Sequence, residues 1–441
     1  MTLLLPSLQA ERIRRSIVDY LSTTFALTDA EPRRLLTDFL EDEKQGVFVG
    51  PFVRLRLPYL AASARPGTSD PAHPADRPLD WDPGLTPYQH QEDSYRRLTT
   101  KGGHRPEPTI VTTGTGSGKT ESFLHPVLDH VLRARAQGVT GIKALILYPM
   151  NALASDQASR LASLITDDPA LAGVRAAIYT GDSSAIPRKH VTADSLITDR
   201  YVIRDNPPDI LLTNYKMLDQ LLLRPEDREL WRASAGSLTY LVLDEFHTYD
   251  GAQGTDVAML LRRLGLTLRA HLPADHPRQE AFASAPLGPV CPVATSATLG
   301  DGGDPSQMLA FARDVFGTDL PASAVVTETR ADLDQWAATH RQVAESKGLA
   351  GRALRPRSLP GENLQALASL AEAGSPGPEE LLRGVVARLY DLPEEVEDTL
   401  DAAGLASALQ AHPDVLDLVR AAENSTPLAA LARGLLGPVP E

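Results

Sequence analysis

With 441 residues, the chain has room for two to three domains and a sizeable hydrophobic core. Hydrophobic residues at 42% and charged residues at 23% are ordinary values for a globular protein, and no apolar run approaches the ~18 residues of a membrane span. The formal charge of −14 argues weakly against nucleic acid, but residues 371–441 hold 13 acidic and 4 basic side chains, a balance of −9 that leaves −5 for the first 370 residues. That near-neutral body can carry a local cationic track, for which Tyr95-Arg96-Arg97, Lys101, Arg105 and Arg262-Arg263 are candidates. Cys291 is the sole cysteine, which excludes intrachain disulfides and cysteine zinc sites; it reads as a small buried hydrophobe before Ser296. The first residues lack the basic n-region and cleavage site of a signal peptide, so a cytoplasmic location is expected.

In chain order, residues 7–40 place Leu8, Ile13, Ile17, Leu21, Leu35, Leu36, Phe39 and Leu40 at helical spacing, and predict a helical module with one buried face. Val47 to Leu57 alternates like an extended strand. The stretch from Ala61 to about Gly84 is rich in Pro, Ser, Gly and Asp, the composition of a linker. From Leu85 to about 318, apolar strands near 109–113, 143–148, 174–179, 209–213, 239–244 and 290–295 alternate with helical segments. This pattern predicts an α/β domain, a parallel sheet covered by helices on both faces. Residues 319–441 turn to helix-rich, acidic sequence. The expected division is therefore 1–60, 61–84, 85–318 and 319–441.

Two stretches of the α/β segment carry the chemistry of a nucleotide site. A strand-like Thr109-Ile-Val-Thr112 leads into Thr113, Gly114, Thr115, Gly116, Ser117, Gly118, Lys119 and Thr120, and then into helix-like sequence. In that context a Gly-rich loop turns its N–H groups toward phosphate, Lys119 neutralises the β- and γ-phosphates, and the Thr120 hydroxyl suits Mg²⁺. Further on, the apolar Leu241-Val-Leu243 delivers Asp244 and Glu245, one carboxylate for the metal and one for the attacking water. The expected ligands are ATP and Mg²⁺.

These residues resemble superfamily 2 helicases of the DEAD/DEAH-box type, in the MrfA-like branch of DNA-repair and phage-defence helicases, over about 83–317. The most specific part is Asp244-Glu-Phe-His247-Thr-Tyr-Asp-Gly251-Ala-Gln-Gly254, running on to Arg262-Arg263-Leu264. The resemblance implies a RecA-like domain in which Ser296-Ala-Thr298, with His247, relays the state of the acidic box toward nucleic acid. A structural histidine at a strand end is the other reading of His247. By the same carry-over, Gln91 in Thr86-Pro-Tyr-Gln-His-Gln91 reads adenine, with Gln89 as rival. Pro149 and Asn151, Thr180 and Gly181, and Thr213 and Asn214 become nucleic-acid backbone contacts, although such residues also serve as caps and turns.

The family's motor has a second RecA-like domain bearing a Gln/Arg motif, and nothing after Ser296 matches it. The expectation is thus one half of a DNA helicase or translocase for repair or defence. A partner chain or a continuation of this one would supply the other half. The competing readings are a non-motor ATP-dependent switch or scaffold, and an RNA helicase part, since backbone contacts do not reveal the sugar.

Overall fold

The computed structural model describes residues 6–25, 28–42, 46–48, 52–62, 77–114, 116–181, 187–297, 304–346, 378–390, 401–427 and 431. They fall into two compact units, one from Tyr59 to Thr329 and one built from both ends of the chain, residues 1–58 and 330–441.

The first unit is organised on seven strands: β1 (Thr109–Thr112), β2 (Ala144–Tyr148), β3 (Ala176–Tyr179), β4 (Ile210–Asn214), β5 (Tyr240–Leu243), β6 (Cys291–Ser296) and β7 (Val325–Thr327). They form one sheet in the order β3-β4-β2-β5-β6-β1-β7, with every neighbouring pair parallel. Alternate residues of a strand face opposite sides, and here both sides are covered. Leu145, Leu147, Leu211, Leu241 and Leu243 enter one core, with residues of the helices Tyr215–Leu223, Gly251–His271 and Ser306–Phe316. Ala144, Ile146, Ile210, Leu212 and Val242 enter the other, with the helices Lys119–Ala136 and Asn151–Asp167. The six strands read from the sequence are present, and β7 is an addition. Its three residues are too short a run to stand out beside helix-rich sequence, and pairing with β1 is what makes them a strand.

Part of the stretch read as a linker is packed. Trp81 is buried, its indole N–H donates to Asp168 Oδ2 at 2.7 Å, and the backbone N–H groups of Asp80 and Trp81 both donate to Asp129 Oδ1 at 2.8 Å. Residues 63–76 lie outside the described residues.

In the second unit, the helices Pro6–Thr24 and Ala30–Glu41 confirm the helical period, but not its buried face. Among their described residues Val18 and Leu40 are the buried hydrophobics, while Ile13, Ile17, Leu35 and Phe39 are 39–58% exposed. Phe52–Val53 pairs antiparallel with Thr426–Pro427, so the extended reading of 47–57 reduces to two strand residues. A small core joins Ala344 of the helix Leu333–Ser346 to Val386 and Leu389 of Pro378–Tyr390 and to Leu405 and Ala408 of Ala402–Ala411.

Candidate functional site

Because all seven strands run the same way, the loops that follow them emerge at one edge of the sheet. The loop after β1 reaches helix Lys119–Ala136 through Gly116 and Gly118, both at φ 76°, a conformation open to glycine at no steric cost. A side chain at Gly118 would also collide with Gln91, whose Nε2 lies 2.2 Å from where a Cβ would stand. Several groups hold the loop. Thr113 N–H donates to Ser296 O at 3.3 Å, the Thr113 and Ser117 hydroxyls are 2.5 Å apart, and Gly114 N–H donates to Glu328 Oε2 at 2.7 Å. Thr115 lies outside the described residues.

Gln91 Nε2 donates to Gly118 O at 3.2 Å and Gln91 Oε1 accepts from Tyr88 N–H at 2.9 Å. Gln89 turns instead to Asp93, donating to its Oδ1 at 2.9 Å. Of the two rival glutamines, Gln91 is the one that touches the loop. The sequence reading missed His90, whose Nε2 is 2.9 Å from Ser117 O, and a histidine between two glutamines gave no signal of that role.

Across the sheet edge, Asp244 and Glu245 follow β5. Lys119 Nζ lies 3.8 Å from Glu245 Oε1, so the loop lysine and the acidic pair converge. Glu245 is the only non-glycine with positive φ among the described residues, at 50°. Such backbone costs on the order of 1–3 kcal/mol and persists where the surroundings impose it. Here Glu245 N–H donates to Thr295 Oγ1 at 3.2 Å, and its carbonyl accepts from Thr248 N–H at 2.8 Å. Thr295 Oγ1 also donates to Asp244 Oδ1. The sequence reading did not name Thr295, which reaches Asp244 beside the Ser296 that it did name. Ser296 Oγ lies 3.4 Å from His247 Nδ1, which is in turn 3.4 Å from Glu245 Oε2. Thr298 lies outside the described residues.

Asp244 is buried, and burial holds its carboxyl above the usual carboxylate range, with the Glu245 charge adding to that and the Thr295 hydrogen bond and Lys119 opposing it. A buried carboxylate beside an oxygen-bearing loop suits a hard cation. Mg²⁺ needs only one or two protein oxygens when phosphate and water complete its shell. Thr120, part-buried in the first turn of its helix, and Asp244 offer that donor set. No group of three or more His, Cys, Asp or Glu side chains placed to hold a metal occurs among the described residues.

This arrangement, a phosphate loop and an acidic pair separated by β6, is matched at the sequence level. The DEAD/DEAH box helicase family covers residues 88–300. Residues 88–300 are thus similar to a DEAD/DEAH box helicase domain. The chain is 26% identical to Druantia protein DruE of Escherichia coli (strain UMEA 4076-1), over 54% of this chain and 17% of that protein. It is 32% identical to the ATP-dependent helicase YprA of Bacillus subtilis (strain 168), over 40% of this chain and 20% of that protein. The DUF1998 helicase MrfA, solved bound to DNA, superimposes with a TM-score of 0.42 at 22% identity, over 67% of this chain and 37% of that one. The chain thus spans a minor part of the relatives it matches.

The other half of the sheet edge comes from β2, β4 and β3, which are neighbours, so three loops lie side by side. Pro149 and exposed Met150 lead into helix Asn151–Asp167, whose first turn has no side-chain cap. Asn214 Nδ2 donates to Asn151 Oδ1 at 2.6 Å, and Asn214 Oδ1 caps the next helix through Met217 N–H at 2.8 Å. Thr180 is part-buried and Gly181 exposed. Thr213 corrects the sequence reading: it is fully buried and its hydroxyl donates to Tyr179 O at 2.6 Å, so no surface of it is open to a nucleic acid.

Of the cations named from the sequence, Arg105 is exposed and the others have partners within the chain. Arg96 pairs with Glu92, Arg97 with Glu107 at 2.9 Å, Lys101 with Asp80 at 3.2 Å and Arg263 with Asp219. Arg262 donates to Asp314 O at 3.1 Å. Exposed cations in the segments after β3 and β4 include Arg188 and Lys189, Arg200 at the start of a short helix and Lys216 in the first turn of helix Tyr215–Leu223, with Arg200 donating to Thr180 O at 3.4 Å. No helix of the described residues is long and apolar enough to cross a membrane.

Proposed function

We propose that this chain carries the ATP-binding half of an ATP-dependent DNA helicase or translocase serving DNA repair or anti-phage defence, completed by a second RecA-like domain from a partner or from further chain. The observation that carries the reading is the 3.8 Å approach of Lys119 Nζ to Glu245 Oε1, which sets a phosphate-neutralising cation against a carboxylate held in a strained turn.

In this reading the backbone N–H groups of Gly116, Ser117 and Gly118 and the Lys119 ammonium take the phosphates, and Gln91 meets adenine. Thr120 and Asp244 would hold Mg²⁺, which would supply positive charge against the phosphates. Glu245 orients the attacking water and accepts its proton, and entry of the γ-phosphate draws Lys119 off that carboxylate. The report to nucleic acid runs through β6: Thr295 touches Asp244 and Glu245, Ser296 touches His247, and Ser296 O holds the start of the phosphate loop. Pro149, Asn151, Thr180, Gly181 and Asn214, with the cations Arg200 and Lys216, face the phosphates of one strand, which fixes position without reading sequence. DNA is preferred because the acidic box and the Arg262-Arg263-Leu264 helix resemble the DNA-repair and phage-defence branch.

The test is strand separation on a forked DNA by the completed motor, with ATP and with a non-hydrolysable analogue. Unwinding with ATP alone is expected. ATP-dependent binding without unwinding, or unwinding of RNA in preference to DNA, would overturn the reading.

A further inference from the structure

The phosphate loop is braced from a side that none of its sequence motifs includes. Strand β7 pairs with β1 through Ile110↔Val325, Val111↔Val326 and Thr112↔Thr327, so one step further the register sets Glu328 beside the start of the loop. There its Oε2 accepts from Gly114 N–H at 2.7 Å. On the other side of β1, Ser296 O accepts from Thr113 N–H at 3.3 Å. The far end of the loop is held by His90 at Ser117 O and Gln91 at Gly118 O. The two braces are themselves joined, since Leu60 N–H donates to Thr329 O and Leu60 O accepts from Gln89 N–H, both at 2.8 Å.

A carboxylate in this place is electrostatically perverse beside a loop built for a polyanion, because its charge opposes phosphate. A hydrogen bond to an ionised acceptor is, however, about twice as strong as a neutral one, and this one fixes a backbone amide of the loop. We propose that Glu328 is a positioning residue for nucleotide binding: it anchors the first half of the phosphate loop through Gly114 N–H, at a cost in charge. The inference rests on the ATP-site reading above. An anchor that acts before and during the reaction alike contributes uniform binding, so its loss raises KM and leaves kcat nearly unchanged.

Glu328 is part-exposed at a strand end, so substitution leaves the core intact. The experiment is equilibrium titration of the 441-residue chain with a fluorescent ATP analogue, with KM and kcat measured on the completed motor. Glu328→Ala should weaken binding about tenfold, with kcat within about twofold. Glu328→Gln, whose amide oxygen accepts the same bond without the charge, should bind at least as tightly as wild type. Glu328→Lys discriminates most sharply. A charge effect alone makes lysine bind ATP more tightly, whereas the anchor predicts weakening, because an ammonium offers no acceptor to Gly114 N–H. Tighter binding by Glu328→Lys, or wild-type affinity in Glu328→Ala, would overturn the proposal. Lys119→Ala separates the two readings. If it loses nucleotide while Glu328→Ala does not, the anchor fails and the ATP site stands; if it binds as wild type, both fail.

Discussion

Glu245 and Asp244 are adjacent in sequence but meet different surroundings. Asp244 is 8% exposed and bonded to Thr295, whereas the Glu245 side chain is 28% exposed and faces both Lys119 and His247. The buried carboxylate is suited to a cation and the more open one to water. Glu245→Gln keeps the shape and the backbone turn but cannot take a proton, so nucleotide affinity should change little while turnover of the completed motor falls by about two to four orders of magnitude. Single-turnover hydrolysis measures this directly. A variant that hydrolyses at the wild-type rate would move the catalytic carboxylate elsewhere.

Two elements carry constraints of their own. On helix Lys119–Ala136, His125 and His130 are held neutral: burial pushes both down to about 4 from 6.5, while Tyr95 OH and Thr100 Oγ1 bond their Nδ1 atoms at 2.8 and 2.9 Å. Between pH 6.5 and 4 the unfolded chain takes up protons that the folded one refuses. Their contribution to stability is therefore complete above pH 6.5 and is lost as pH falls toward 4. Each proton is worth about 1.4 kcal/mol per pH unit, and Asp244, raised by burial, acts in the opposite sense. Urea midpoints should fall from pH 7 to pH 5, and His130→Phe should flatten that slope by about one proton. An unchanged slope would mean that this histidine does not titrate as described. On helix Gly251–His271, Gly265 is needed for close approach: a Cβ there would stand 1.8 Å from Pro286 O. Gly265→Ala should gain helix propensity yet destabilise the domain by about 1–3 kcal/mol, since one backbone must move. A denaturation midpoint at or above wild type would show that the two segments separate freely.

For the whole molecule, the loops proposed to take nucleotide and those proposed to take a nucleic-acid backbone occupy the two halves of one sheet edge, with the acidic pair at their junction on β5. A track formed on one domain only reaches one side of a strand. The 441-residue chain alone should therefore bind single-stranded DNA weakly, with a shallow salt dependence, because each phosphate contact contributes a slope of only about 0.7. Supplying a second RecA-like domain should raise affinity and turnover together, and an arginine brought to the γ-phosphate is worth about 10³ to 10⁵ in rate. Turnover with and without DNA, on this chain and on the completed motor, is the measurement. Robust unwinding by this chain alone would sink the two-domain requirement.

The sequence by itself determined the local chemistry and the class of fold. Continuous apolar runs bounded by turns specify strands buried on both faces, and the loop from Thr113 to Thr120 and the pair Asp244-Glu245 announce themselves because their chemistry needs contiguous residues. Whatever depended on which strands are neighbours was decided only in three dimensions. Strand order placed β6 between the Gly-rich loop and the acidic pair, which made Thr295 a bridge beside Ser296, and put β7 beside β1, which brought Glu328 to Gly114 across 214 positions. The same packing buried Thr213 and paired Arg96, Arg97, Lys101 and Arg263 with acids. Hydrogen bonds and ion pairs act over a few ångströms of space, and a linear pattern carries no information about distance once the chain has crossed from one strand to the next.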